Sequence, residues 1–120
     1  MLPRTNRLPA PHISRVMKYG KRVVGNGVTL IYRIKNKELR IKEREEKRFV
    51  FIVSTKVDKR ATVRNRMRRL MSESVRHVLP GMTINVDGVM IGSRGLIDCT
   101  QAEVEIIVQD LFQRAKLLKA

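Results

Sequence analysis

The sequence predicts a single α+β domain, a mixed α/β sandwich with the element order α-β-(β)-β-α-β-α and helices packed on a central sheet. Three observations support this fold class. Two segments repeat apolar residues at helical spacing, other segments are β-branched runs bounded by turn residues, and 120 residues with 42% hydrophobic content suffice for one core. A second domain is not expected at this length.

The leader and the first helix come first in the chain. Residues 1–11 predict an irregular basic leader, and Pro9 and Pro11 end it. Residues 12–19 carry apolar side chains at helical spacing, which predicts a short helix, and Gly20 ends it.

The next elements are strands joined by a charged connection. Residues 28–34 alternate in polarity, which predicts a strand with one clearly apolar face, and the sequence leaves open a second strand here. Residues 36–47 hold charges of both signs and predict a charged loop. The unbroken β-branched and aromatic run at 49–53 is typical of a central, buried strand.

The second half of the chain begins with a basic helix. Its apolar stripe predicts one buried face, formed by Val63, Met67, Leu70, Met71, Ser74 and Val78. Pro80 and Gly81 end this helix, and residues 87–92 predict another buried strand. Thr100 and Glu103 form a capping box that opens a last helix. The apolar face of that helix consists of Val104, Ile107, Val108, Leu111, Ala115 and Leu118.

The charge of the chain is strongly positive and regional. There are 26 Lys and Arg residues against 11 Asp and Glu residues, a formal net charge of +15. Residues 1–37 contain no carboxylate, whereas residues 81–110 are net negative. A regional excess of this kind favours a polyanionic partner, and nucleic acid is the strongest candidate.

Other features exclude several classes of protein. No apolar run approaches the roughly 18 residues that a membrane span needs, so no membrane partner is expected. The N-terminal segment lacks the apolar stretch of a secretory signal. One cysteine, Cys99, cannot form an internal disulfide, which fits a reducing compartment, and we expect a cytoplasmic location.

The basic segment 56–69 is the strongest functional signal. Beside one acid, Asp58, it contains the cations Lys56, Lys59, Arg60, Arg64, Arg66, Arg68 and Arg69. Residues 59–72 contain no carboxylate that could relieve their repulsion at helical spacing, as a merely solvated helix face would require. The helix face opposite the buried stripe is predicted to carry Asn65, Arg69, Ser72 and Arg76. Because guanidinium groups bind phosphates in a bidentate manner, we predict a phosphate-binding surface here.

The Arg-Asn-Arg sequence in this helix resembles the signature of a known family. Residues 63–70, VRNRMRRL, preceded by STKV at 54–57, closely resemble the motif of the bacterial ribonuclease P protein subunit. The N-terminal pattern, the late strand and the last helix are also similar to that family. The resemblance covers nearly the whole chain.

The resemblance implies a role in tRNA processing. In that family the catalyst is an RNA subunit, which uses hydrated Mg²⁺ to remove the 5′ leader of precursor tRNA, and the protein assists it. The chain would then be part of an endoribonuclease that is active only as the holoenzyme, with the RNA subunit and precursor tRNA as partners. The Mg²⁺ would be bound mainly by the RNA.

The resemblance also assigns two sites in the chain. The RNA subunit would be bound by Asn65 and the seven cations of segment 56–69. The leader would enter a cleft between the first helix and the sheet, lined by Ile13, Met17, Tyr32 and Arg33. Since Ile13 and Met17 stand where many members have phenylalanine, Tyr32 is expected to be the main stacking platform, and core packing is the alternative role of Ile13 and Met17. The family further implies a left-handed βαβ crossover around the basic helix.

Catalysis by the chain alone is not expected. Its two histidines, His12 and His77, lie in distant segments, and its carboxylates lack the spacing of metal ligands, so no metal site is predicted in the protein. The alternative function is that of a small basic structural RNA-binding protein of ribosomal type. DNA binding is not expected, because strands flank the basic helix where a helix-turn-helix would need helices.

Overall fold

The computed structural model describes residues 2–35, 46–82 and 84–118, and within them three α-helices and four strands. In chain order these are α1 Ala10–Tyr19, β1 Lys21–Val24, β2 Val28–Ile34, β3 Lys47–Ile52, α2 Ala61–Val78, β4 Val86–Gly92 and α3 Gln101–Arg114. The predicted α+β fold class and element order are confirmed. The second strand that the sequence left open is β1.

The four strands form one mixed sheet in the order β1-β2-β4-β3. The β1–β2 and β2–β4 pairs are antiparallel, whereas β3 and β4 are parallel neighbours. Parallel neighbours need a crossover connection, and α2 supplies it. The basic helix therefore lies across the sheet, next to the edge strand β3.

The crossover from β3 through α2 to β4 is left-handed. The Phe49 side chain lies in the core beneath α2, while its carbonyl accepts a hydrogen bond from Leu8 N–H at the outer edge of β3, away from β4. When β3 is viewed from α2 with its chain direction upward, the Phe49 side chain points toward the viewer and, in an L-residue, its carbonyl points to the right. Because this carbonyl points away from β4, β4 lies to the left of β3, and the crossover is left-handed. Most crossovers are right-handed, so only the family resemblance could predict this one.

The two faces of the sheet bury separate apolar clusters. The larger cluster lies beneath α2 and α3 and includes Met67, Met90 and Phe112. Gly88 gives the Phe49 ring its place there, since a Cβ at residue 88 would lie 2.6 Å from ring carbons. The smaller cluster lies beneath α1 and is formed by Leu8, Val16, Ile31 and Val89. Alternate residues of each central strand therefore face two different cores.

Several predicted boundaries shift in the structure. α1 begins at Ala10, two residues earlier than predicted, because Pro9 is its N-cap and Pro11 fits a first helical turn that needs no N–H donor. β3 begins at Lys47, which is buried at 8% exposure, so the predicted charged loop does not extend to residue 47. The rest of that loop, residues 36–45, lies outside the described residues.

The N-terminal segment of the chain is anchored along the outer edge of β3. Leu8 N–H donates to Phe49 O at 3.0 Å, and Asn6 Nδ2 donates to Lys47 O at 2.8 Å. Leu2 and Leu8 are buried at 3% and 5% exposure. Because this segment covers an edge that would otherwise be open, it protects β3 as far as Phe49.

Candidate nucleic-acid interface

The turn before α2 neutralises one of the predicted cations. The Arg60 guanidinium pairs with the Asp58 carboxylate, with Nε–Oδ1 at 3.0 Å and Nη2–Oδ2 at 2.9 Å. Hydrogen bonds from Arg60 lower the pKa of Asp58 from 3.8 to about 2. A carboxyl whose pKa is lowered on folding keeps its ion pair until the pH falls through about 2. The charge of Arg60 is therefore compensated, and its role as an RNA contact stays a prediction.

Arg64 fastens the same turn to the first turns of α2. Its Nη1 donates to Asp58 O at 3.0 Å and to Lys59 O at 2.9 Å. Backbone carbonyls accept these bonds without cancelling the positive charge. Arg64 therefore keeps its charge while its guanidinium is held in one position.

Arg66 links α2 to the turn that precedes α3. Its Nη1 donates to Ile97 O at 2.8 Å and its Nη2 to Cys99 O at 3.0 Å. A guanidinium has five N–H donors, and these bonds use two of them. The second arginine of the VRNRMRRL segment thus has a structural contact that its spacing did not predict, and it retains donors for a ligand.

The remaining cations of the segment face solvent to different degrees. Arg68 Nη2 donates to Asn65 Oδ1 at 2.7 Å, which leaves the Asn65 amide nitrogen for other partners. Arg69, Lys56 and Lys59 are exposed. Among the described residues, Arg60 is the one cation of this segment that forms a salt bridge with a carboxylate. Six cations along these 14 residues therefore have no salt bridge to a described carboxylate.

Arg94 joins this surface from outside the segment. Its Nη2 lies 3.4 Å from Lys56 O, which brings beside the turn a seventh cation without a salt bridge to a described carboxylate. Sequence reasoning missed it, although Arg94 is the single base within the acidic stretch 81–110. We call Lys56, Lys59, Arg64, Asn65, Arg66, Arg68, Arg69 and Arg94 the α2 basic surface.

The predicted outer face of α2 requires one correction. Ser72, expected opposite the buried stripe, is buried at 3% exposure. It lines a groove between α2, the edge of β3 and the N-terminal segment, which Leu2 and Leu8 also line. The burial of Ser72 arises from packing between elements that are distant in the sequence, and helical periodicity does not show such packing. Asn65 and Arg69 remain exposed as predicted.

Three of the four side chains predicted to line the cleft between α1 and the sheet, those of Ile13, Met17 and Arg33, lie on the α1 side of the sheet. Ile13 packs partly buried against the small cluster beneath α1, and Met17 on the same stripe is 41% exposed. Half-buried residues Val50, Ile52 and Ile91 lie on this face of the sheet. The apolar side chains of this cleft can therefore contact a flexible ligand while remaining attached to the core.

Tyr32 does not lie in this cleft, and its assignment is wrong. It is 7% exposed and belongs to the large cluster beneath α2 and α3, on the opposite face of the sheet. Its neighbour Ile31 faces α1 instead, since adjacent strand residues point to opposite faces.

Tyr19 is the aromatic residue that the structure leaves accessible beside α1. It is 65% exposed, with Lys18 Nζ at 5.5 Å and Arg33 Cζ at 6.0 Å from the ring centroid. Its position in the last turn of α1, off the stripe of Ile13 and Met17, was the signal that could have identified it. Arg33 thus lies on the α1 side, as predicted, next to an unpredicted ring.

Several carboxylates of the described residues form ion pairs or hydrogen bonds with basic side chains. Asp87 accepts two bonds from Arg48, at 3.0 and 3.1 Å, and His77 Nδ1 lies 2.7 Å from Glu105 Oε2. No three His, Cys, Asp or Glu side chains in the described ranges are placed to hold a metal ion. Among the helices of those ranges, none combines the length and the apolarity that a bilayer span requires.

Comparison with known proteins identifies the family. The family model named Ribonuclease P matches residues 2–116. The chain belongs to the ribonuclease P protein family. The ribonuclease P protein component of Synechococcus elongatus is 28% identical over 118 residues, 98% of this chain and 95% of that protein. The protein component of Microcystis aeruginosa is 31% identical over 71 residues, 59% of either chain.

Solved structures of ribonuclease P proteins share the fold. The Staphylococcus aureus protein superposes with a TM-score of 0.77 at 20% identity, covering 95% of this chain and 98% of that one. The Thermotoga maritima protein, solved in complex with 1-(4-fluorophenyl)-2-thiourea, gives 0.73 at 20% identity and covers 90% and 98%. These structures show that the fold is shared, and the family match places the chain among the protein components of ribonuclease P, a ribonucleoprotein that processes tRNA.

Proposed function

We propose that the chain binds the RNA subunit of ribonuclease P through the α2 basic surface and assists Mg²⁺-dependent removal of the 5′ leader from precursor tRNA. The observation that carries this proposal is the set of uncompensated cations at the start of α2. Phosphate contacts supply most of the affinity of such surfaces, because bound cations release counterions from the nucleic acid.

Preorganisation of the arginines supports RNA as the ligand of this surface. Arg64, Arg66 and Arg68 are held by neutral oxygens of the backbone or of Asn65, so their charges are fixed in place but not cancelled. A ligand phosphate then meets guanidinium groups whose conformational entropy is already reduced. Holding a site in its bound conformation raises affinity by lowering that entropic cost.

We place the leader of the precursor in the cleft beside α1, against Ile13 and Met17, with Arg33 and Tyr19 at its border. Single-stranded RNA exposes unstacked bases, which bind apolar and aromatic side chains, and a phosphate chain, which binds arginine. The cleft presents both kinds of group on one side of the sheet. Tyr32 has no part in this contact.

We place catalysis and most of the Mg²⁺ in the RNA subunit, within a cytoplasmic particle. Mg²⁺ is a hard cation that prefers oxygen ligands and often keeps several waters together with phosphate oxygens. The described side chains offer mainly cations near the interface. These groups fit the positioning of RNA rather than the generation of a nucleophile.

Reconstitution with a candidate RNA subunit at low Mg²⁺ tests this function. We expect the chain to increase cleavage of precursor tRNA, and the variant Arg68→Gln/Arg69→Gln to bind the RNA with a salt slope smaller by about 1 per lost phosphate contact. Arg114→Gln is the matched control, because Arg114 lies on α3 and contacts Val24 O in β1, at the sheet edge opposite β3.

Two results would contradict the proposal. An unchanged salt slope in the double variant would remove the α2 basic surface from the RNA interface. If a pull-down with the chain recovers ribosomal subunits, instead of one RNA with 5′-processing activity, the structural RNA-binding alternative is supported.

A further inference from the structure

We propose that the groove between α2 and the free edge of β3 is a pocket for one unpaired nucleobase of the RNA subunit. This inference rests on the proposed function and adds a contact that reads a base rather than a phosphate. The groove has a volume of about 470 Å³ and is open to solvent on one side, and this volume is within the usual range for pockets that bind small organic groups.

The floor of the groove is apolar and partly aromatic. Leu2, Leu8 and Phe51 line it, and Phe51 is half-buried, so part of its ring remains accessible. Nucleobases stack on aromatic side chains whatever their sequence, because every base has a π-face. A flat heterocycle is therefore the chemical group that this floor accommodates.

The rim of the groove is cationic and carries an amide. Arg7, Arg68, Arg69 and Asn65 line it, and no carboxylate belongs to its described lining. Since Asn65 Oδ1 accepts from Arg68, its Nδ2 is left to donate to an acceptor on a base edge. The arginines would hold the phosphates on either side of the inserted nucleotide.

The edge of β3 supplies a second polar contact. The carbonyls of Lys47 and Phe49 point to the outer edge of β3, where the leader binds them. The twofold alternation of a strand aims the backbone N–H and C=O of Phe51 at the same edge. The N-terminal segment of the chain enters α1 after Leu8. No described residue forms a hydrogen bond with the backbone of Phe51 at this outer edge. The groove thus opens where the edge becomes free, and backbone groups there can read a base as an added strand would.

Filling the groove tests the proposal without changing charge. Ser72 is buried in the groove wall, so Ser72→Met fills the space, and Phe51→Leu removes the aromatic face while keeping an apolar side chain. Ser14→Met is the matched control, because Ser14 is exposed on α1 across the sheet. Loss of one stacked base weakens binding roughly 5- to 150-fold, and we expect RNA-subunit affinity to fall within that range with an unchanged salt slope.

Chemical probing of the RNA subunit identifies the inserted nucleotide. One unpaired base is expected to be protected by the wild-type chain and to become reactive with either groove variant. Normal affinity and an unchanged protection pattern in both variants would overturn the pocket. Phe51→Leu decides the question if circular dichroism shows that Ser72→Met is unfolded.

A test on the free chain separates this inference from the proposed function. In NMR titrations with AMP, GMP, CMP and UMP, we expect at least one to shift the Asn65 side-chain amide and the Phe51 backbone amide more than ribose 5-phosphate does. Equal shifts with ribose 5-phosphate would show a phosphate contact alone and overturn the base pocket. Failure of the chain to bind the RNA subunit would instead contradict the proposed function.

Discussion

Arg66 combines a structural contact with a position on the proposed RNA surface. Its two bonds to Ile97 O and Cys99 O tie α2 to the turn before α3. A charge count cannot separate this role from phosphate binding, because the same guanidinium serves both. The free energy of unfolding reports the structural role of Arg66, and the salt dependence of RNA binding reports its phosphate contact.

Arg66→Lys tests the structural role of this arginine. Lysine keeps the charge but cannot reproduce the planar fork of two donors, so we expect the free energy of unfolding to fall by about 1 kcal/mol. Urea denaturation measures it. Arg69→Lys is the control and should change stability by less than about 0.5 kcal/mol, as an exposed substitution does. Equal stability of both variants would show that the bonds of Arg66 do not stabilise the fold.

The cleft beside α1 predicts different effects at Met17 and Tyr32. Met17→Ala should weaken binding of precursor tRNA to the assembled particle while leaving mature tRNA unaffected, because Met17 is exposed in the cleft. Tyr32→Ala should lower the free energy of unfolding by about 3 kcal/mol, because it creates a cavity in the large core. Paired tRNA affinities and urea denaturation give these quantities. A stable Tyr32→Ala variant with selective loss of precursor binding would contradict the placement of Tyr32.

The error at Tyr32 has a physical cause in strand β2. Val28, Leu30 and Tyr32 face one core, but Ile31 on the other face is buried in the second core, so both faces of β2 contribute to a core. The alternation of side chains along β2 correctly places Tyr32 on the same face as Leu30. It does not show which of the two faces packs against α1. The basic cluster was easier to predict, because uncompensated charge remains visible in the sequence whatever the packing.

At the scale of elements, α3 starts where its local sequence specifies. Thr100 Oγ1 accepts from Glu103 N–H at 3.2 Å, and Glu103 Oε1 accepts from Thr100 N–H at 2.8 Å, which confirms the predicted capping box. The position of the N-terminal segment along β3 has no comparable signal in the local sequence, since it depends on hydrogen bonds between residues about 41 apart in the chain.

Thr100→Ala tests how far the cap positions α3. Loss of the side-chain acceptor should lower the free energy of unfolding by about 1 kcal/mol, and Thr100→Ser should retain most of it. Cys99, whose carbonyl binds Arg66, precedes the cap directly, so Thr100→Ala and Arg66→Lys should be non-additive by at least about 0.5 kcal/mol in a double-mutant cycle. Strict additivity would mean that cap and arginine stabilise α3 independently.

At the scale of the whole molecule, the net charge of +15 opposes folding and favours binding. Like charges on the α2 basic surface repel each other in the free chain, and a polyanion relieves that repulsion. The N-terminal segment of the chain adds to this repulsion, because it places Arg7 beside Arg68 and Arg69 at the groove between α2 and β3. Stability of the free chain and affinity for RNA should therefore respond to salt in opposite directions.

Raising sodium chloride from about 50 to about 500 mM should increase the thermal midpoint of the free chain by several degrees, since the Debye length falls to roughly 4 Å and the repulsion between cations is screened. Over about 50 to 200 mM, affinity for the RNA subunit should instead fall steeply, because counterion release weakens. Differential scanning calorimetry and filter binding measure the two effects. In Arg68→Gln/Arg69→Gln, two repelling charges are absent, so both responses should shrink together. A midpoint that falls with salt would mean that attraction between charges, and not repulsion on the α2 basic surface, dominates the electrostatics of the fold.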